Sequence, residues 1–197
     1  PYTYPEGRIP ENTQSRENAV KYADWALGYF FREAQSHDFY KNTIFVVMGD
    51  HGARVTGSQL FPMSSYRVPV LMIQPEGKGQ GTRCSTLACS LDIAPTIMGR
   101  LDSDYRSVFF GYDALQKNPK KGRAIMQHNH DVALLDAGNR MVVLGFGKSA
   151  ESFKLDRSSH QLNQQAAPDS ELQHDATSYF QAAFELYYSD RWFPHFS

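Results

Sequence analysis

Asp50 and His51 stand side by side in GDHG, Gly49 to Gly52, directly after the apolar run IFVVM. A carboxylate and a neutral imidazole are both good ligands for borderline divalent ions, and flanking glycines let adjacent side chains converge on one ion. In a regular strand the two would point to opposite faces. The same residues also make an ordinary polar turn, with Asp50 capping it and His51 solvated, and local chemistry leaves both readings open. Arg54 and Arg67 follow; each has the planar fork that grips two oxygens of a phosphate or sulfate, although a loop arginine is more often a surface charge. His128 and His130 in QHNHD alternate along an expected strand and would share a face, which suits a second metal or a substrate contact. With no acid or third ligand fixed near them, they are read as solvated imidazoles. Cys84 and Cys89 in CSTLAC lack the second pair that a zinc knuckle needs, leaving a small-loop disulfide or two half-buried thiols.

The elements that position these residues follow from periodicity. Between Asn12 and Ser36, Val20, Ala23, Leu27, Phe30, Phe31 and Ala34 recur at helical spacing, with Asn12, Thr13 or Ser15 available as the cap. IFVVM and VPVLMI, apolar on both faces and rich in β-branched residues, read as strands buried between helical layers. In open α/β sheets ligands gather at the carboxyl ends of strands, which is where GDHG lies. GKGQG, Gly77 to Gly81, lacks the Lys-Ser/Thr ending of a phosphate cradle and reads as a turn. In SLDIAPTIMGRL, Ser90 can cap a helix whose first turn holds Pro95, with Ile93, Ile97 and Leu101 on one face. RAIMQ, VALLD and RMVVLGF are short strands, the last two joined by Ala137-Gly138-Asn139, and form an antiparallel addition. Ser158 to Asp169 is read as a polar linker. A last helix carries Leu172, Ala176, Tyr179, Phe180, Ala183 and Tyr187 on one stripe, and the aromatic tail YYSDRWFPHFS is read as docking on the domain. The aromatic residues are assigned chiefly to the core.

The 197 residues, 41% of them hydrophobic, suffice for a core of single-domain size. A net charge of -1 gives no basic face for nucleic acid or for a polybasic membrane contact. No apolar run approaches the roughly 18 residues that cross a bilayer. The chain begins at Pro1 rather than Met, and the expectation is that further sequence precedes it.

The run NAVKYADWALGYFFREAQSHDFYKNTIFVVMGDHGARV, followed by SYRVPVLMIQPEG, CSLDIAPTIMGRL and FFGYDAL, resembles the alkaline phosphatase superfamily. Within it the blocks are most similar to the lipoteichoic acid synthase and phosphoglycerol transferase group, often called sulfatase-like, over most of Pro1 to Leu115. The resemblance implies an α/β three-layer sandwich of which this chain is the C-terminal part: a metal-loop region to residue 115, antiparallel strands over 116–157, then linker and terminal helix. It implies that Asp50 and His51 bind the catalytic divalent metal, Mn²⁺ by analogy, with Mg²⁺, Ca²⁺ and Zn²⁺ as other fits. It places the Thr or Ser nucleophile and a further metal carboxylate upstream of Pro1, so that no catalytic residue is assigned here. The substrate implied is a phosphoglycerol-bearing lipid or glycan, on the outer side of the bacterial cytoplasmic membrane. Membrane contact would come only through an N-terminal region outside this chain. A sulfatase of the same fold is the nearest alternative, and a non-catalytic binding module with a degenerate site is the alternative of another class.

Overall fold

The computed structural model describes residues 3–10, 13–52, 60–75, 81–101, 104–116 and 118–191. The chain divides into two units, Pro1–Val47 with Val70–Gly81, and Met48–Pro69 with Thr82–Ser197.

In the first unit, helix α1 spans Arg16–Ala34. Its cap is Ser15, whose hydroxyl accepts from the Asn18 amide at 3.2 Å. The buried Asn18 side chain donates to both the carbonyl and hydroxyl of Thr13, at 2.8 and 2.9 Å, so the turn before the helix is pinned as well. Along α1, Tyr22, Trp25 and Tyr29 stack in series, and Tyr4 extends the row. Phe30 and Phe31 meet Phe45 edge-on, with 5.3 Å between the Phe31 and Phe45 centroids. Phe45 opens strand β1, Phe45–Met48, which pairs with β2, Val70–Ile73. The class is α/β, as the periodicity implied. Burial of the strands on both faces does not follow: Val70 and Leu71 are exposed. Two strands carrying one helix have cover from their own unit on one face only. Several aromatics assigned to the core, among them Tyr29 and Phe30, are likewise half exposed and satisfied by ring contacts.

The second unit is built on a five-stranded antiparallel meander, β3 Arg123–His128, β4 Asp131–Asp136, β5 Arg140–Leu144, β6 Ala150–Asp156 and β7 Gln161–Gln164, in chain order. Period-2 alternation sends Ala133, Leu135, Met141, Val143 and Phe153 to one face, where they pack with Phe61 and Met63. Leu134 and Val142 point the other way, onto Leu172 and Ala176 of helix α4, Ser170–Tyr188. The segment expected to be a linker from Ser158 contains β7. Its sequence QLNQ is almost wholly polar because it is an edge strand contributing only Leu162 to the core; pairing with β6, Leu155 opposite Leu162, recruits it. The apolar stripe of α4 also ends sooner than its sequence suggests: Phe180 and Tyr187 are exposed, and burial stops near Tyr179. Residues 192–197 of the aromatic tail and residues 76–80 of the Gly-rich turn lie outside the described residues.

One buried ion pair joins the sheet to the rest of this unit. Asp92, 1% exposed, accepts from the amides of Cys89 at 2.8 Å and Tyr112 at 3.0 Å, and from Arg123 Nη1 at 3.1 Å. Cys89, not Ser90, is thus the cap of the turn Ser90–Asp92 that leads into α3, Ile93–Met98. Arg123 also donates to the Phe110 carbonyl at 2.7 Å and to the Tyr179 hydroxyl at 3.3 Å, and its guanidinium lies over the Tyr112 ring. Cys84 and Cys89 are free thiols, and burial pushes the Cys89 thiol up. Breaking such a pair strands a buried carboxylate, so Arg123→Met is expected to cost about 3–5 kcal/mol, read as a lower urea midpoint. A loss below about 1 kcal/mol would show that the pair does not hold the unit together.

Candidate active site

The loop after β1 belongs to the second unit and makes two close approaches within it. The Gly52 amide donates to the Ser65 carbonyl at 3.0 Å, and a Cβ on Gly52 would stand 2.4 Å from that oxygen. Only glycine fits there. A Cβ on Gly49 would lie 3.6 Å from Val68 Cγ1. Gly49 thus lies beside Val68 and Gly52 beside Ser65, so the two close approaches flank Asp50 and His51. Helix α2, Met63–Tyr66, is therefore the support of the Asp50-His51 loop. Phe61 and Met63, fully or nearly buried in the sheet's core, anchor that support.

The pair itself is open to solvent, with His51 70% and Asp50 88% exposed, so it is not held for stability. Its hydrogen bonds define what remains free. Asp50 Oδ1 accepts from the His51 amide at 2.9 Å, which leaves Oδ2 unused. The His51 ring places Nδ1 2.8 Å from the Gly52 carbonyl. A carbonyl only accepts, so in the neutral ring Nδ1 carries the proton and Nε2 keeps its lone pair. The free Nε2 and free Oδ2 face each other at 3.7 Å. Ligand bonds of about 2.0–2.2 Å let two donors on one ion lie up to about 4.2 Å apart, so this pair fits a shared divalent cation. The second-atom bonds are also those expected around a metal-binding imidazole. Among the described residues no group of three or more His, Cys, Asp and Glu gathers, so the fit is that of a partial ligand set.

Of the other residues singled out in the sequence, Arg54 lies outside the described residues. Arg67 Nη1 donates to His160 Nε2 at 2.5 Å, a partner 93 positions away that sequence reading missed. His128 and His130 do not share a strand face. β3 ends at His128, Asn129 takes a positive φ of 53°, and the chain reverses at once so that His128 pairs with Asp131. His130 sits in that turn. His128 Nδ1 lies 3.2 Å from the Tyr66 hydroxyl, which also donates to the Gln127 carbonyl at 2.6 Å, while the Phe61 ring packs against His128. Burial raises the Tyr66 phenol's pKa, which keeps it a donor.

A loop bent onto α2 at the end of a strand carries the Asp-His pair on an α/β scaffold. A family model described as Sulfatase matches residues 2–103, more than half of the chain, and the chain belongs to that family. A solved structure of a protein in the alkaline phosphatase superfamily from Vibrio parahaemolyticus superposes with a TM-score of 0.83 at 29% identity. The match covers 97% of this chain and 47% of that one, so the chain spans about half the length of that relative. The superfamily is enzymatic and generally uses divalent metals. Enlarging Gly52 tests the loop's support: Gly52→Ala should destabilise by about 1–3 kcal/mol and weaken Mn²⁺ binding, measured by thermal melting and calorimetry. Wild-type values in both would show that the approach to Ser65 does not shape the pair.

Proposed function

We propose that this chain forms the metal-loop part of a metal-dependent enzyme that transfers or hydrolyses phosphate esters, of the phosphoglycerol transferase type. The observation that carries the proposal is the facing of His51 Nε2 and Asp50 Oδ2, each left free by hydrogen bonds on its neighbouring atom. The bound cation, Mn²⁺ by the family resemblance, would screen charge on the transferring group and acidify a nucleophilic hydroxyl. Asp50 and His51 hold it; the Gly52 carbonyl fixes the His51 tautomer, and the Ser65 carbonyl fixes Gly52. The Thr or Ser nucleophile and the remaining ligands are assigned to sequence upstream of Pro1, consistent with a chain that spans half of its solved relative. The substrate proposed is a phosphoglycerol-bearing lipid or glycan on the outer side of the cytoplasmic membrane. Among the described residues no helix is long and apolar enough to cross a membrane.

Sulfate ester hydrolysis is the second reading, and the family description over residues 2–103 favours it. The two anions are both tetrahedral, and Asp50 and His51 serve either. In the full-length enzyme, Asp50→Ala should lower metal-dependent turnover of a phosphodiester by at least about 100-fold. The thermal midpoint should move by no more than about 2 °C, because the side chain is exposed. Turnover of a sulfate ester instead selects the second reading. Retention of most wild-type activity by Asp50→Ala rules out both.

A further inference from the structure

The Arg67 and His160 side chains meet although one follows α2 and the other closes the β6–β7 hairpin. A guanidinium has no acceptor, so His160 Nε2 must accept and its ring proton sits on Nδ1. Imidazole acceptors are an uncommon choice for Arg, whose fork matches carboxylates; a neutral acceptor fixes the guanidinium without neutralising it. The charge stays available. Among the described residues His160 is the one partner of Arg67, so most of its five donors remain for a ligand.

Placement gives this charge a use. Asp50 and Arg67 are the chain neighbours of Gly49 and Val68, which approach each other closely. The hairpin that brings His160 is itself braced. Asp156 accepts from the Ser158 hydroxyl at 2.6 Å and amide at 2.8 Å, bonds that hold its carboxyl down at about 2. Arg157 grips Asn139 Oδ1 and the Ala137 carbonyl, and the Leu155 amide donates to the Asn139 carbonyl at 2.8 Å. His160 thus stands on a turn tied both to itself and to the β4–β5 hairpin. In a meander successive turns lie at alternate ends, so Tyr66 and Arg67, adjacent in the chain, reach opposite ends of the sheet. His160 gives the Arg67 guanidinium a fixed place.

We infer that Arg67 binds an oxygen of the tetrahedral anion presented to the Asp50-His51 pair, and that His160 is the positioning residue that fixes the Arg67 fork. The inference rests on the functional reading above and extends it to recognition of the phosphate or sulfate group. The test uses full-length enzyme titrated calorimetrically with Mn²⁺ and then with inorganic phosphate or sulfate. Arg67→Ala should weaken the anion by at least about tenfold, the loss of charge-assisted hydrogen bonds, and leave Mn²⁺ affinity within about threefold. Arg67→Lys keeps the charge but not the fork, and should recover only part of the affinity. His160→Leu should weaken the anion by about fivefold, and His160→Gln, whose amide oxygen can accept from Arg67, should restore it; a merely structural histidine would give no such rescue. Anion affinity within twofold of wild type in Arg67→Ala, or no saturable anion binding by the wild type, would overturn the inference. If anion binding depends on Arg67 while Mn²⁺ binding is indifferent to Asp50→Ala, the anion site stands and the metal-dependent function falls.

Discussion

The buried pair of Asp92 and Arg123 is the constraint on which the second unit depends. A carboxylate and a guanidinium removed from water cost several kcal/mol each unless every lone pair and proton finds a partner. Here they nearly all do: the Asp92 oxygens take two amides and Nη1, and Arg123 reaches Phe110, Tyr179 and the Cys89 sulfur besides. Four segments distant in sequence must therefore be in place together, the turn before α3, the Phe110–Tyr112 stretch, the start of β3 and the middle of α4. Because the alternative is a stranded charge, the pair specifies one arrangement as much as it stabilises it.

That fixed start of β3 matters at its other end. From Arg123 the strand runs five residues to His128, where Tyr66 bonds to the Gln127 carbonyl; one residue before Tyr66, the Ser65 carbonyl receives the Gly52 amide, and Gly52 holds the His51 ring. An exposed Asp-His pair has no packing of its own to hold it. Its geometry is borrowed from a core some distance off, through hydrogen bonds to backbone carbonyls.

How far the sequence could be read followed from the range of the interaction concerned. The cap at Ser15, the β-branched strands and the hairpin turn at Asn139 with its positive φ of 66° are all written within a few residues, and local chemistry located them. Strand β7 was not legible, since QLNQ has a linker's composition and becomes a strand only because β6 offers an edge. The His128 and His130 alternation failed because the reversal at Asn129 comes one residue earlier than a strand reading allows. The bonds of Arg67 to His160 and of Arg123 to Asp92 join positions 93 and 31 apart, and nothing near either partner announces the other. The family resemblance supplied the metal assignment for Asp50 and His51; the structure supplied the reason their free atoms face each other.

Anomalous diffraction from a crystal of the full-length enzyme grown with Mn²⁺ tests the assignment of Asp50 and His51 most directly. The expected result is a manganese peak within about 2.3 Å of both Asp50 Oδ2 and His51 Nε2, with His51 Nδ1 still bonded to the Gly52 carbonyl. A peak bound by other residues, with Asp50 and His51 both left to solvent, would contradict it.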